Sequence, residues 1–514
     1  MSRFLSDHDR NVLTPMLNIQ VAHSYYLKYD SKQWERGKPY PPLATIQVAA
    51  FLRRMGHHVS LFDAMLADGV EAYEGSMRST EPDVVVLYED NFNFLTKMCL
   101  SRMREAACRM IALGRGCGAR VIVAGSDASD HPEAFLAAGA DVVLSGEGIA
   151  ALAQLIDRLN RNPDRDVRDW AGGVPGVSFL EAGQLQTIRI GVQPPDAQLT
   201  GQPAWDLVDI ERYRAMWRER HGYFSLNMNA SRGCPFHCNW CAKPIWGNHF
   251  RRRGAFLVAE EMSHLKHAFH PDHVWFADDI FGFHADWVDE FAEHLLGNDG
   301  RVPFTIQTRA DLVTERMAAA LERAGCAEAW IGAESGSQQV LDRMDKGTRV
   351  AKLIEARKRL GSHGIRVGFF IQLGYLGEQL PDLLATRELV ALAAPDDIGV
   401  SVSYPLPGTR FYEQVKTQLG AKDHWRDSGD LAMMFRGTYD SAFYRSVRDL
   451  LHEQVVLQQT GAPESSEPRR LALEARWQAL IESESAHRNH DATVVPGHRD
   501  RVVPVQHAAA AQDR

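Results

Sequence analysis

Short apolar runs alternate with helix-period segments from near the start of the chain. Leu17–Ala22, His58–Phe62, Asp83–Leu87, Ala119–Ala124 and Asp141–Leu144 read as five strands. Asp83–Leu87 is an almost unbroken apolar run, as a parallel strand covered on both faces requires. Leu43–Met55 has helical periodicity, and Gly56 supplies its C-terminal stop. Helical stretches separate the other strands, so this region, residues 12–160, predicts a doubly wound, Rossmann-like parallel sheet and an N-terminal domain over 1–160. Ligands of such sheets bind beyond the carboxyl ends of the strands. The loops His23–Tyr26, Tyr88–Phe94, Gly125–Asp127 and Ser145–Gly148 fall there.

Residues 161–215 are rich in Pro, Gly and Gln and read as a linker with one small hairpin. A second alternating series begins near Tyr223, with strands at Phe224–Asn229, His273–Phe276, Thr305–Gln307, Ala329–Gly332, Val367–Leu373 and Ile398–Ser403. Helical stretches such as Glu315–Ala324 and Val350–His363 lie between them. Six strand–helix repeats over 216–430 predict a partial (β/α)6 barrel of the TIM type. The rest, 431–514, reads as a C-terminal helical segment and a polar tail expected to be mobile. The fold class is α/β throughout.

Composition narrows the classes of function. With 45% hydrophobic and 24% charged residues the chain reads as globular, and it contains no apolar run of the ~18 residues a membrane span needs. Met1–Arg10 is polar and lacks a signal-peptide core, so a cytoplasmic location is expected. A net charge of −9 argues against a nucleic-acid partner, and Arg251–Arg253 is the one short basic run. Seven cysteines are too few for a disulfide scaffold. Cys99, Cys108, Cys117 and Cys326 are scattered and expected to be buried thiols; the other three cluster within eight residues.

That cluster is Cys234-Pro-Phe-His-Cys238-Asn-Trp-Cys241, just after the first strand of the second series. Thiolates gathered in one loop suit an iron–sulfur cluster or zinc. Three of them leave one metal position without a local cysteine, and His237 or His249 could complete a zinc site. The C-x3-C-x2-C spacing, with Trp240 before the last cysteine, resembles the signature of the radical S-adenosylmethionine (SAM) superfamily. The resemblance implies that Cys234, Cys238 and Cys241 bind three irons of a 4Fe–4S cluster whose open iron chelates SAM. Further matches follow in order: Asp278–Asp279 after the second strand, with Asp278 toward the SAM amino group and Asp279 equally readable as a helix cap; Arg309 toward its carboxylate; Glu334–Ser335 at the ribose; Gln372 within Phe369–Glu378 at the adenine; and Tyr404–Thr409. Leu376 stands where the subgroup usually has Pro.

The combined architecture resembles the cobalamin-dependent radical SAM enzymes. This implies a corrin held between the two domains, with Ser126, Gly146 and Glu147 among its contacts and Tyr88–Phe94 lining a cobalt face that receives no protein histidine. The implied activity is transfer of a methyl group from methylcobalamin to an unactivated carbon, or phosphorus, by way of a 5′-deoxyadenosyl radical. No side chain is then required as a catalytic nucleophile. A small-molecule substrate and an electron donor such as flavodoxin or ferredoxin are the expected partners. Ser335–Thr348 and Gln372–Tyr375 also resemble the anaerobic magnesium-protoporphyrin ester cyclases, so oxidative cyclisation is the alternative. A cobalamin or redox sensor is the non-enzymatic one. Tyr213, Trp217, Trp246 and His249 are candidates to touch substrate or merely to pack.

Overall fold

A computed structural model describes residues 16–98, 100–162, 166–189, 201–241, 245–246, 248–420, 424–459 and 463–489. Cys99 and the tail beyond 489 lie outside the described residues. The N-terminal sheet contains β1 (Asn18–Ala22), β2 (His58–Phe62), β3 (Val84–Tyr88), β4 (Arg120–Ala124), β5 (Val142–Leu144), β6 (Val177–Glu181) and β7 (Gln184–Ile188). Their order is β2-β1-β3-β4-β5-β6-β7, parallel through β5 and antiparallel after it. Both faces are covered. Val84, Val86, Ile122, Val142 and Leu144 pack with the helices Leu43–Arg54 and Ile149–Arg161. Val85, Leu87, Val121, Val123 and Val143 pack with Val70–Thr80, Ser101–Gly116 and Pro132–Ala137. The β-branched run is what lets β3 be buried on both sides.

The segment read as a linker is more structured than expected. Its hairpin adds to the edge of β5, pairing Val143 with Ser178 and Leu144 with Val177, so this sheet runs on to residue 188. Ala182 and Gly183 turn the hairpin with φ of 48° and 77°, the two left-handed residues a tight right-twisted hairpin favours. The helix Ile210–His221 then buries Tyr213 and Trp217. The Tyr213 hydroxyl donates to Asp63 Oδ2 at 2.6 Å and Trp217 Nε1 to the Pro39 carbonyl at 2.6 Å, so both are core residues with no face left for substrate.

The second sheet curls as a half-barrel of six parallel strands in chain order: β8 (Ser225–Met228), β11 (His273–Phe276), β12 (Phe304–Thr308), β13 (Cys326–Glu334), β14 (Arg366–Leu373) and β15 (Asp397–Val402). A two-stranded ribbon, β9 (Ser231–Arg232) with β10 (Arg251–Arg252), brackets the cysteine loop. Glu315–Ala324 is helical as predicted, capped by Thr314 Oγ1 on the Met317 amide and stopped by Gly325 at φ 96°. At the C-terminus, Ser441–Gln459 packs along the last strand and helix of the half-barrel, with Gln454 Nε2 donating to the Arg387 carbonyl. Pro463–Glu482 covers it and buries Trp477 under Arg387. Among the described residues no helix is long and apolar enough to cross a membrane.

The two sheets meet through loops at the carboxyl ends of their strands. Arg232, in the cysteine loop's ribbon, is ion-paired with Glu147 and donates to Gln47 Oε1 at 2.7 Å. Lys97 pairs with Asp279 at 2.5 Å and lies over the Trp246 ring, which also packs on Phe92. Tyr40, Pro41 and Gln47 bond to Ser225, Asn227 and Asn229 along β8.

Candidate active site

The cysteine loop leaves β8 under tight control. The Asp278 carboxylate, at the end of β11, accepts from the Ala230 amide at 3.0 Å and from Ser231 Oγ at 2.5 Å. Burial pushes Asp278 up to about 7, against the stabilising bonds from Ser231 and Ala230. Gly233 follows at φ 73°, and a Cβ there would lie 2.1 Å from the His249 carbonyl oxygen, so only glycine fits. Cys234, Cys238 and Cys241 form no disulfide and are of intermediate burial. Between them, Asn239 pins the loop: its amide donates to the Met344 carbonyl, its Nδ2 to the Arg343 carbonyl at 2.6 Å, and its Oδ1 accepts from the Tyr375 hydroxyl at 2.7 Å. Trp240 packs against the cluster of Met344, Tyr375, Leu376 and Phe411.

Arg309, after β12, lies with its guanidinium 3.7 Å from the Phe236 ring centroid and its Nη1 3.7 Å from Cys238 Sγ; Nη2 donates to the Lys346 carbonyl. Glu334 ends β13 at φ 61°, rare for a residue with a side chain, and the pairing with β14 shifts register between Gly332 and Glu334. Its Oε1 accepts from Lys346 Nζ at 2.7 Å, with each side chain only 7% exposed. Burial opposes the Lys346 charge, but Glu334 and the Cys238 sulfur outweigh it and leave the ammonium pKa raised. Arg309, Lys346, Glu334 and Cys238 are thus one charged constellation around the cysteine loop. Ser335 Oγ accepts from the Ser337 amide and contacts Thr386 Oγ1, which fixes the turn after Glu334. Gln372, near the end of β14, is buried with Oε1 lacking a partner among the described residues.

The other candidates separate. Asp279 caps no helix; it is committed to Lys97, and the next helix, Ala285–Gly297, begins after His284. Glu147 faces Arg232 and, at 3.7 Å, Arg251, so it ties the two sheets together. Gly146 has φ 68° and donates its amide to Ser129 Oγ. Ser24, Asn91 and Ser126, beyond β1, β3 and β4, each carry a buried side-chain oxygen with no partner among the described residues. Cys326 is buried as expected, whereas Cys117, at the end of Ser101–Gly116, is exposed. Asn239, Lys346 and Tyr375 were not singled out from sequence. The only available signal was their place inside matched stretches.

Residues 228–390 match the radical SAM superfamily. An uncharacterized methyltransferase of Pyrococcus horikoshii is 24% identical over 398 residues, spanning 75% of this chain and 81% of that protein. The hopanoid C-3 methylase of Methylococcus capsulatus is 26% identical over 412 residues, spanning 74% and 70%. The fold resembles that of the cobalamin-dependent SAM radical enzyme OxsB with aqua-cobalamin bound, at a TM-score of 0.60, 20% identity and 73% coverage of this chain. The match spans about half of that longer structure, 52%. Residues 228–390 are a radical SAM domain, and the chain is an enzyme that uses a 4Fe–4S cluster and SAM.

Proposed function

We propose that this protein is a cobalamin-dependent radical SAM methyltransferase that methylates an unactivated carbon, or phosphorus, of a small-molecule substrate. One observation carries the reading: the cysteine loop and its charged constellation are packed, through Arg232–Glu147 and Lys97–Asp279, onto the strand-end loops of the N-terminal sheet. The methyltransferase names of the relatives and the aqua-cobalamin in the OxsB structure agree with it. The donor sets suit the groups concerned. Three cysteines outside any disulfide in one loop match a cluster with an open iron, and the oxygens of Ser24, Asn91 and Ser126, without a partner among the described residues, suit the amide and hydroxyl groups of a cobalamin.

When bound, the cluster and SAM supply a 5′-deoxyadenosyl radical, and cobalamin supplies the methyl group. The residues then divide the work. Cys234, Cys238 and Cys241 would hold the cluster, and Trp240, packed on Met344 and Tyr375, would brace their loop. Arg309 attracts the SAM carboxylate. Glu334, with one oxygen occupied by Lys346, would accept from the ribose; Ser335 fixes its turn, and Gln372, whose Oε1 has no partner among the described residues, would serve the adenine. Asp278 positions the cysteine loop. Ser126, Gly146 and Glu147 border the cobalamin, and the loop Tyr88–Phe94 offers it no histidine. In this reading the Rossmann-like cobalamin domain is the sheet through residue 188, and the radical SAM half-barrel is 216–430. A cytoplasmic flavodoxin or ferredoxin delivers the electron. The test is anaerobic incubation of reconstituted protein with cobalamin, reductant, a cell extract and SAM carrying a deuterated methyl group. Mass spectrometry should find a product that has gained the labelled methyl. Deoxyadenosine formation without labelled product or labelled cobalamin would overturn the proposal.

A further inference from the structure

Arg309 follows the end of β12 and leads into the short helical turn Ala310–Leu312. That turn brings Asp311 back against it. Nε of the guanidinium donates to Asp311 Oδ2 at 3.2 Å, and Nη2, on the same edge, pairs with Oδ1 at 3.1 Å. Nη2 also donates to the Lys346 carbonyl at 2.6 Å. The guanidinium lies 3.7 Å from the ring centroid of Phe236, a residue of the cysteine loop. These contacts hold the group without help from any cysteine. They leave Nη1 at the other end of the fork, and Nη1 donates to Cys238 Sγ at 3.7 Å. Nη1 carries a second hydrogen, which the SAM carboxylate can take.

The arrangement is an oriented dipole. Its cationic end meets the sulfur, and the Asp311 carboxylate is bound along the Nε–Nη2 edge, so Cys238 lies nearer to positive than to negative charge. The Arg309 side chain is only 7% exposed, and a buried charge is screened little by salt. Lys346 adds to the effect: its buried ammonium, paired with Glu334 at 2.7 Å, is also stabilised by the Cys238 sulfur. Charging the cluster takes one electron from a low-potential donor protein, which is oxidised by one electron; no bond forms or breaks. The electron adds negative charge to a group that three thiolates already make negative. Positive charge and hydrogen bonds at the sulfurs favour that reduced form and raise its potential.

We infer that Arg309, oriented by Asp311, acts through Cys238 to raise the reduction potential of the cluster, and so sets how readily the electron donor can charge it. The inference rests on Cys238 being a cluster ligand, and needs neither cobalamin nor methyl transfer. The test is an anaerobic dithionite titration of full-length, cluster-loaded protein without SAM, following the electron paramagnetic resonance signal of the reduced cluster. Arg309→Met should lower the one-electron reduction equilibrium about tenfold, a shift of about 59 mV to more negative potential. Arg309→Lys, which keeps the charge, should recover most of that loss. Asp311→Asn removes the opposing charge and should move the equilibrium the other way, by about threefold. Loosened packing that let in water would raise the potential in every variant, because water also favours the more highly charged form; the opposite signs therefore separate tuning from damage. An unchanged or raised potential in cluster-loaded Arg309→Met, or a lowered one in Asp311→Asn, would overturn the inference. Where Arg309→Met holds no cluster, the sign of the Asp311→Asn shift decides. The potential is read without turnover, so an absence of methyl transfer would sink the functional reading alone.

Discussion

Glu378 closes the turn after β14, entirely inaccessible to solvent. Its Oε2 accepts from the Gly374 amide at 2.6 Å, while Oε1 has no partner among the described residues. Burial pushes its pKa from 4.5 up to about 8; the Gly374 bond opposes this and Asp382 adds to it. The folded protein therefore holds Glu378 protonated at neutral pH, whereas the unfolded chain ionises it. The group's contribution to stability is complete below about pH 4.5 and is lost as pH rises through about 8. At about 1.4 kcal/mol per pH unit the total loss is roughly 5 kcal/mol, of which roughly 3 to 4 falls between pH 5 and 8. Glu378→Gln keeps the shape and the acceptor for Gly374 but cannot ionise. Its stability relative to wild type should rise by that amount over this range. Anaerobic urea unfolding followed by tryptophan fluorescence at pH 5, 6, 7 and 8 measures the difference, in which the other titrating groups largely cancel. Parallel profiles for the two proteins would show that Glu378 titrates normally in the fold and refute the reasoning.

Three further outcomes are expected. Lys346→Met leaves the Glu334 carboxylate buried without its cation and should cost about 3–5 kcal/mol in urea unfolding, partly restored by adding Glu334→Gln. Replacing Cys234, Cys238 and Cys241 together by Ala should abolish the brown 4Fe–4S absorption and deoxyadenosine formation, whereas Cys326→Ala, buried in β13, should leave both. Glu334→Gln should weaken SAM binding by about 1–2 kcal/mol in equilibrium dialysis with the cluster intact; unchanged affinity removes Glu334 from the ribose.

Much of the half-barrel was legible in one dimension. Strands such as His273–Phe276 and the helix Glu315–Ala324 coincide with the apolar periodicity, because burial on one or both faces acts residue by residue along a segment. The cysteine spacing was equally local: a single loop delivers all three thiols. Other features depended on what the packed chain brings together. A small hairpin is expected within 161–215, but only the folded chain shows that Val177–Ile188 extends the N-terminal sheet along the edge of β5. Tyr213 and Trp217 look free to meet substrate until Asp63 and Pro39 claim their polar atoms. Lys346 pairs with a carboxylate twelve residues back because a bulge turns Glu334 toward it, and Asn239 gains its role from carbonyls more than a hundred residues away. By itself, then, the sequence determined the order of elements and the cysteine loop, since periodicity and spacing are properties of neighbouring residues. Only the tertiary structure decided which charges are paired and which polar atoms are left open, because desolvation and hydrogen bonding depend on contacts between distant segments.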